Sequence, residues 1–168
     1  MESPVMRELS LALDSKGLAT FRFNFRGVGG SDGNFDQGKG EQEDLKSAID
    51  TLRKWPGVKG NRVGIAGFSF GAVVTLDSLA KLKGIQSLAL VAPTISAVER
   101  SRLDKFRAPV LLLAGEKDRL VPAEHLESAI STASPSLDFR VVPETDHTWN
   151  RHEAQIASDV ADFFLKSL

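Results

Sequence analysis

The chain has 168 residues, a length typical of one folded domain. Hydrophobic residues make up 42% of it and charged residues 26%, which is ordinary for a globular protein and excludes general disorder. The 21 basic and 22 acidic residues leave a net charge of −1, so charge does not point to nucleic acid or an anionic membrane as a partner. The absence of cysteine excludes disulfides, thiolate metal ligands and a cysteine nucleophile.

From the sequence we expect neither a signal peptide nor a membrane span. Glu2, Arg7 and Glu8 interrupt the apolar residues near the start. The longest uncharged stretch, residues 84–98, is short for a bilayer and contains Pro93. We therefore expect a cytoplasmic protein that does not bind membranes.

The first predicted elements are a helix from Pro4 to Gly17 and a strand at residues 18–25. The strand is predicted because apolar aromatic residues alternate with polar ones. We expect this aromatic row to face the core; it consists of Phe21, Phe23 and Phe25. The glycine-rich residues 26–40 that follow predict a loop.

Hydrophobic periodicity then predicts helices and strands in alternation. The helices are expected near 41–55, 70–82, 123–132 and 153–165, and the strands at 62–67, 87–91, 110–114 and 137–142. The strands at 87–91 and 110–114 are apolar runs without polar alternation, which is typical of central parallel strands covered on both faces. The pattern predicts a single α/β domain, a three-layer α/β/α sandwich with a mainly parallel sheet of about five strands.

The strand at 62–67 runs directly into the pentapeptide Gly67-Phe68-Ser69-Phe70-Gly71, a G-x-S-x-G sequence followed by an apolar helix. Such a sharp strand-to-helix turn strains the backbone at the serine and exposes its hydroxyl above the sheet. We expect both glycines to remove side chains that would collide across the turn. Ser69 is therefore the candidate nucleophile. The N-terminus of the helix that follows it offers N–H groups to an oxyanion.

A serine alcohol needs a base, and the base needs a carboxylate to orient it. His147 is the candidate base because it follows the strand at 137–142, at the carboxyl edge of the predicted sheet. Asp118, after the strand at 110–114, is the candidate carboxylate. Glu116 and Asp146 remain open as alternatives for that role.

Together these motifs resemble the α/β-hydrolase superfamily, most closely its small bacterial members without a lid domain. The matching stretches are residues 22–29 with Ser31 and Gly33, 67–71, 115–118 with Val121-Pro122, and Asp146-His147. The resemblance runs from about Pro4 to the end of the chain, and its serine, aspartate and histidine follow the superfamily's order.

The resemblance implies a catalytic triad. Ser69 would be the nucleophile, His147 the general base and then acid, and Asp118 the orienting carboxylate. The backbone N–H of Phe70 would be one oxyanion donor. No cofactor and no metal are implied.

The sequence departs from the superfamily pattern at its start. Members normally have three further strands before this point, and the loop after the third supplies a second oxyanion N–H. That strand normally lies between the equivalents of 18–25 and 62–67. Without it, we expect that these two strands pair directly, that a gap exposes a strand edge, or that another chain fills the gap, for instance in a homodimer.

Residues 92–109 occupy the position at which lids are inserted in this superfamily. The segment is mostly polar and too short for a lid domain. We therefore expect an open, wet site that takes small soluble acyl compounds.

The sequence thus predicts a serine hydrolase of small carboxylic esters, with thioesters or amides as alternatives. The rival interpretation is a non-catalytic or weakly active binding or assembly module, which keeps the fold but has an incomplete oxyanion hole.

Two other hypotheses, a metal site and a substrate-binding role for Arg26, have less support. A metal site built from Asp146, His147, His152 and Glu153 fits no established ligand spacing. Arg26 is expected to hold its loop through a salt bridge or a carbonyl contact rather than to anchor substrate.

Overall fold

The computed structural model describes residues 3–130 and 136–168. The helices in this part of the chain are α1 (Pro4–Ser15), α2 (Lys39–Arg53), α3 (Phe70–Ser78), α4 (Ile95–Arg100), α5 (Ala123–Ala129) and α6 (Glu153–Ser167). The strands are β1 (Gly64–Phe68), β2 (Ser87–Val91), β3 (Val110–Gly115) and β4 (Leu137–Val142), and one 3-10 turn covers Leu103–Lys105.

The four strands form one parallel sheet in the order β1-β2-β3-β4. Each strand therefore lies beside its predecessor, and every crossover steps in the same direction. Because such crossovers are right-handed, the helices that make them, α3, α4 and α5, lie on one face of the sheet.

Alternate residues of the central strands point to two separate cores. Leu88 and Leu90 of β2 pack in a cluster with α2, α3, α4 and α5. Ala89 and Val91 pack in a second cluster with α1 and α6. Both faces of the sheet are covered, which confirms the three-layer α/β/α sandwich.

The predicted strand at 18–25 is wrong, and in the part of the chain that the structure describes the sheet has four strands rather than about five. These residues form no strand ladder and lie beside the open edge of β1 with cavities between them. A strand needs a neighbour within hydrogen-bonding distance, which this segment lacks. Its aromatic row is only partly in the core: Phe23 and Phe25 pack against it, but Phe21 is 38% exposed beside Trp55.

Other element boundaries shift by a few residues. The strand predicted from residue 62 begins at Gly64, and the helix predicted to residue 82 ends at Ser78. The end of the predicted helix at 123–132 lies outside the described residues. The segment 92–109 forms α4 and the 3-10 turn, and its apolar side chains Ala97, Val98 and Leu103 are buried in the core.

The longest helices, α2 and α6, have 15 residues each. Across residues 3–130 and 136–168, we find no helix with the length and apolar character needed to cross a bilayer.

Candidate active site

Ser69 is the single residue between β1 and α3. Its backbone has φ 49° and ψ −112°, a left-handed conformation that costs a non-glycine residue about 1–3 kcal/mol. The Ser69 N–H donates to the carbonyl of Val91 at 2.8 Å, and the Ser69 carbonyl accepts from Ala72 and Val73 at 3.0 and 3.1 Å. The strained turn is thus held by β2 on one side and by the first turn of α3 on the other.

The two glycines of the G-x-S-x-G sequence differ in what surrounds them. A Cβ on Gly67 would lie 2.7 Å from the backbone nitrogen of Ala72 and 2.8 Å from its Cα. A Cβ on Gly71 would meet nothing within 4 Å. The expectation that both glycines prevent a collision is therefore right for Gly67 and wrong for Gly71.

The N-terminus of α3 leaves an N–H group free beside the serine. The N–H of Phe70, the first helical residue, has no hydrogen-bond partner among the described residues. Free N–H groups at a helix start carry partial positive charge. An oxyanion that forms next to Ser69 Oγ would find a donor here.

His147 lies in the loop that follows β4, and its ring reaches the serine. Its Nε2 is 2.9 Å from Ser69 Oγ. The centroid of the Phe68 ring is 6.1 Å from that of the His147 ring. The His147 side chain is 22% exposed, so solvent reaches the site.

Asp118 lies on the other side of the imidazole. Its Oδ2 is 2.7 Å from His147 Nδ1, and its side chain is fully buried. Its Oδ1 accepts the N–H groups of Leu120 and Val121, both at 2.9 Å. These two backbone bonds fix the carboxylate so that one oxygen is left for the histidine.

The two alternative carboxylates accept hydrogen bonds from groups other than His147. Glu116 accepts the N–H of Glu144 at 2.9 Å. Asp146 accepts the hydroxyl and the N–H of Thr148 at 2.7 and 2.9 Å. The hydroxyl of Thr148 is the main cause that holds the pKa of Asp146 below its usual value. In the described part of the chain, Asp118 is the carboxylate that bonds to His147.

Backbone contacts between two loops bring Asp118 and His147 together. The N–H of Lys117 donates to the carbonyl of Thr145 at 2.9 Å, and the N–H of Glu116 donates to that of Val142 at 3.0 Å. The sequence pattern did not lead to a prediction of this junction. Its signals are the glycine that ends β3 and the Asp-x-x-Val-Pro turn, whose N–H groups bind the aspartate.

The glycine-rich loop is tied to α2 by an ion pair, as expected for Arg26. The Arg26 guanidinium lies 2.8 Å from Asp44 Oδ1, and the Arg26 N–H donates to the same carboxylate at 2.9 Å. Hydrogen bonding from this guanidinium holds the pKa of Asp44 below its usual value. Buried Glu41 accepts the N–H groups of Asp36 and Gly38, both at 2.8 Å.

The residues considered for a metal do not form one cluster. His147 is engaged by the serine and the aspartate, and His152 Nδ1 lies 3.1 Å from the carbonyl of Asn150. No group of three potential metal ligands is found among residues 3–130 and 136–168.

A protein-family model, the dienelactone hydrolase family, matches residues 33–162 of the chain. The match includes the candidate serine, aspartate and histidine.

Two solved structures are similar over almost the entire chain. An alpha-beta serine hydrolase homologue from Coxiella burnetii is 30% identical, with a TM-score of 0.79 over 100% of this chain and 77% of its own. A serine hydrolase without a lid from Xanthomonas campestris is 30% identical, with a TM-score of 0.82 over 99% of this chain and 74% of its own.

Curated relatives are uncharacterized and longer. A protein of Rickettsia prowazekii is 27% identical over 174 aligned residues, which cover 98% of this chain and 72% of the relative. A protein of Mycobacterium tuberculosis is 30% identical over 161 aligned residues, 83% of this chain and 57% of the relative. The chain thus spans between about half and three quarters of these relatives' lengths.

Proposed function

The chain belongs to the dienelactone hydrolase family and has the fold of α/β-hydrolases that lack a lid, and from this we propose that it is a serine hydrolase of small carboxylic esters. The observation that carries the proposal is the continuous hydrogen-bonded chain from Ser69 through His147 to Asp118. Its three members come from three different loops at the carboxyl edge of the sheet.

Asp118 sets the tautomer of His147. A buried carboxylate only accepts hydrogen bonds when ionised, so Nδ1 of the imidazole carries the proton that it shares with Oδ2. Nε2 then presents its lone pair to the Ser69 hydroxyl, which donates to it. The histidine is thereby oriented to take the serine's proton.

In the first half-reaction, Ser69 Oγ attacks the ester carbonyl carbon while its proton moves to His147 Nε2. The carbonyl oxygen becomes an oxyanion, which the N–H of Phe70 stabilises. When the tetrahedral intermediate collapses, the bond to the leaving alcohol breaks, and His147 returns the proton to that oxygen. The acyl group remains on Ser69.

In the second half-reaction, water replaces the alcohol. His147 takes a proton from the water while the water oxygen attacks the acyl carbon, and the bond between Oγ and the acyl carbon then breaks. The proton on Nε2 returns to Ser69 Oγ, and the carboxylic acid leaves. Ester and water are consumed, and acid and alcohol are formed, so the enzyme ends in its starting state.

The structure of residues 92–109, at the position where lids are inserted, supports small, soluble substrates. The segment at the lid position is used for α4 and the 3-10 turn, with Ala97, Val98 and Leu103 buried in the core. The partly exposed ring of His147 indicates a site open to water. Esters are the favoured class, with thioesters and amides as alternatives.

A fluorophosphonate probe tests the proposal, because it reacts with an activated serine and releases fluoride. We expect labelling of the unmodified chain, none in Ser69→Ala, and full labelling in Ser128→Ala, which removes an exposed hydroxyl on α5. With p-nitrophenyl acetate, His147→Ala should lower kcat/KM at least about 10³-fold. The matched control His125→Ala, on the exposed face of α5, should not.

The same experiment separates the hydrolase from the non-catalytic module. The module predicts no labelling of Ser69 and no ester turnover above background. Labelling that persists in Ser69→Ala would place the reactive group elsewhere and would overturn the hydrolase proposal.

A further inference from the structure

The loop that carries His147 is anchored at two places. Residues 143–152 are mostly exposed, and within them only Thr145 and Trp149 are buried, each with 0% of its surface exposed. These two residues flank His147 symmetrically, two positions before it and two positions after it. Thr145 is fixed by its backbone, because its carbonyl accepts the N–H of Lys117 at 2.9 Å. Trp149 is fixed by its side chain.

The indole of Trp149 lies in the core between the sheet and two helices. It is the largest of the fully buried side chains in the described part of the chain. It belongs to the cluster that α1 and α6 form with one face of β2 and β3. Val91 and Ala92 are members of the same cluster, and the carbonyl of Val91 accepts the N–H of Ser69. Trp149 therefore packs in the layer that also supports the turn of the candidate nucleophile.

The backbone of this loop is strained on both sides of His147. Glu144, Trp149 and Arg151 have φ of 58°, 61° and 68°, in the left-handed region. This conformation costs free energy in any residue but glycine, and it is least favourable for a bulky side chain such as tryptophan. It persists only where the surrounding structure enforces it. The loop would therefore relax to another conformation if its anchors were removed.

Packing alone holds the indole of Trp149 in place. Its Nε1 is buried and has no hydrogen-bond partner within residues 3–130 and 136–168. A buried donor without a partner lowers stability, so this N–H does not contribute to the anchoring. The anchor is the apolar surface of the ring, which a phenylalanine would supply in part.

We propose that Trp149 is a positioning residue, whose buried indole keeps the strained loop in the conformation that places His147 Nε2 against Ser69 Oγ. This inference rests on the proposed hydrolase function. Thr145 fixes the loop before the histidine and Trp149 fixes it after, so the imidazole is held at its 2.9 Å contact with the serine. Because Trp149 acts through His147, its loss should slow the chemical steps and leave substrate binding largely unchanged.

Steady-state kinetics with p-nitrophenyl acetate test this role. Trp149→Ala should lower kcat on the order of 10²-fold, because a small displacement of a catalytic group has an effect of this size. KM should change by less than about threefold. Trp149→Phe keeps an aromatic ring in the core and should retain kcat within about threefold. Trp149→Leu should give an intermediate kcat, and it supplies the same comparison if circular dichroism shows that Trp149→Ala does not fold.

Two further variants separate positioning from general core packing. Leu13→Ala removes buried apolar surface from the same cluster, on α1, so it should lower the melting temperature and leave kcat unchanged. Trp149→Gly adopts the left-handed backbone without strain but has no ring, and it should lower kcat as much as Trp149→Ala. An equal fall of kcat in Leu13→Ala, or full kcat in Trp149→Gly, would overturn the proposal.

Proton NMR follows His147 without any ester turnover. The Nδ1 proton that His147 shares with Asp118 gives a signal far downfield, and His147→Ala identifies it by its loss. We expect this signal in the unmodified chain, in Trp149→Phe and in Leu13→Ala, and its loss or broadening in Trp149→Ala. An unmodified chain that shows the signal but hydrolyses no ester would contradict the proposed function. An unchanged signal in Trp149→Ala would instead overturn the positioning role.

Discussion

Gly115 lies directly against the backbone of Thr145. A Cβ on Gly115 would be 3.0 Å from the carbonyl carbon of Thr145 and closer still to its oxygen. The same carbonyl accepts the N–H of Lys117. This contact joins the end of β3 to the loop after β4, and so it sets the distance between Asp118 and His147.

Gly115→Ala should therefore impair both stability and activity. The added methyl group pushes against backbone that cannot rotate away, at a cost of about 1–3 kcal/mol in the free energy of unfolding. It also displaces His147, and we expect kcat/KM for p-nitrophenyl acetate to fall on the order of 10²-fold. Urea unfolding and ester turnover measure the two effects.

Gly30→Ala is the matched control, because a Cβ on Gly30 meets nothing within 4 Å. Gly30→Ala should change neither the free energy of unfolding nor kcat/KM. A Gly115→Ala variant with full activity would show that the loops can adjust to the extra methyl group.

The two glycines around Ser69 should respond differently to the same substitution. Gly67→Ala places a methyl group 2.7 Å from the Ala72 nitrogen, so it should displace the start of α3 and lower activity and the melting temperature together. Gly71→Ala meets open space at the second residue of α3, and alanine has a higher helix propensity than glycine, by at most about 1 kcal/mol. It should keep activity and hold or raise the melting temperature. Equal losses in both variants would contradict this.

Much of the sheet could be predicted because its signals are local. The apolar runs at residues 88–91 of β2 and 110–114 of β3 indicate strands covered on both faces, and the structure buries every residue of both strands. The predicted positions of Ser69, Asp118 and His147 follow from the same logic, since polar residues after parallel strands meet at one edge.

The structure of residues 18–25 could not be predicted correctly from their own pattern. Phe21, Phe23 and Phe25 alternate as in a strand, but a strand exists only beside a partner. The partner's position is a tertiary property, and here cavities separate the segment from β1.

The sequence favoured Asp118 as the orienting carboxylate but could not exclude the two alternatives. Glu116, Asp118 and Asp146 all follow strands at the same edge. Only the folded chain shows which of them faces His147, because the contact depends on how the two loops pack.

Asp118→Asn should nearly abolish turnover without unfolding the protein. The amide can donate to Nδ1 of His147 and so favours the tautomer whose Nε2 is protonated and cannot accept from Ser69. We expect kcat to fall on the order of 10⁴-fold. The matched variant Glu116→Gln, two residues away, should retain most activity, because Glu116 bonds to Glu144 instead. If Glu116→Gln were the more damaging change, the carboxylate assignment would be wrong.

The ion pair between Arg26 and Asp44 should make stability depend on pH in the acid range. Arg26 holds the pKa of Asp44 below its usual value, so the folded state favours the ionised carboxylate. The stabilisation is fully present above the unfolded pKa of about 3.9 and is lost as pH falls through the lower folded value. Asp44→Asn should therefore lower the melting temperature at pH 7, but much less at the acid end of this window.

Thermal unfolding followed by circular dichroism across this pH range measures the difference. Asp14→Asn, which removes an exposed carboxylate on α1, is the control and should parallel the unmodified chain. Because Asp44 also accepts the Arg26 N–H, its loss should loosen the start of the glycine-rich loop, and faster exchange of that amide would show this. A melting temperature lowered equally at every pH would mean that packing, and not the charge of Asp44, supplies its contribution.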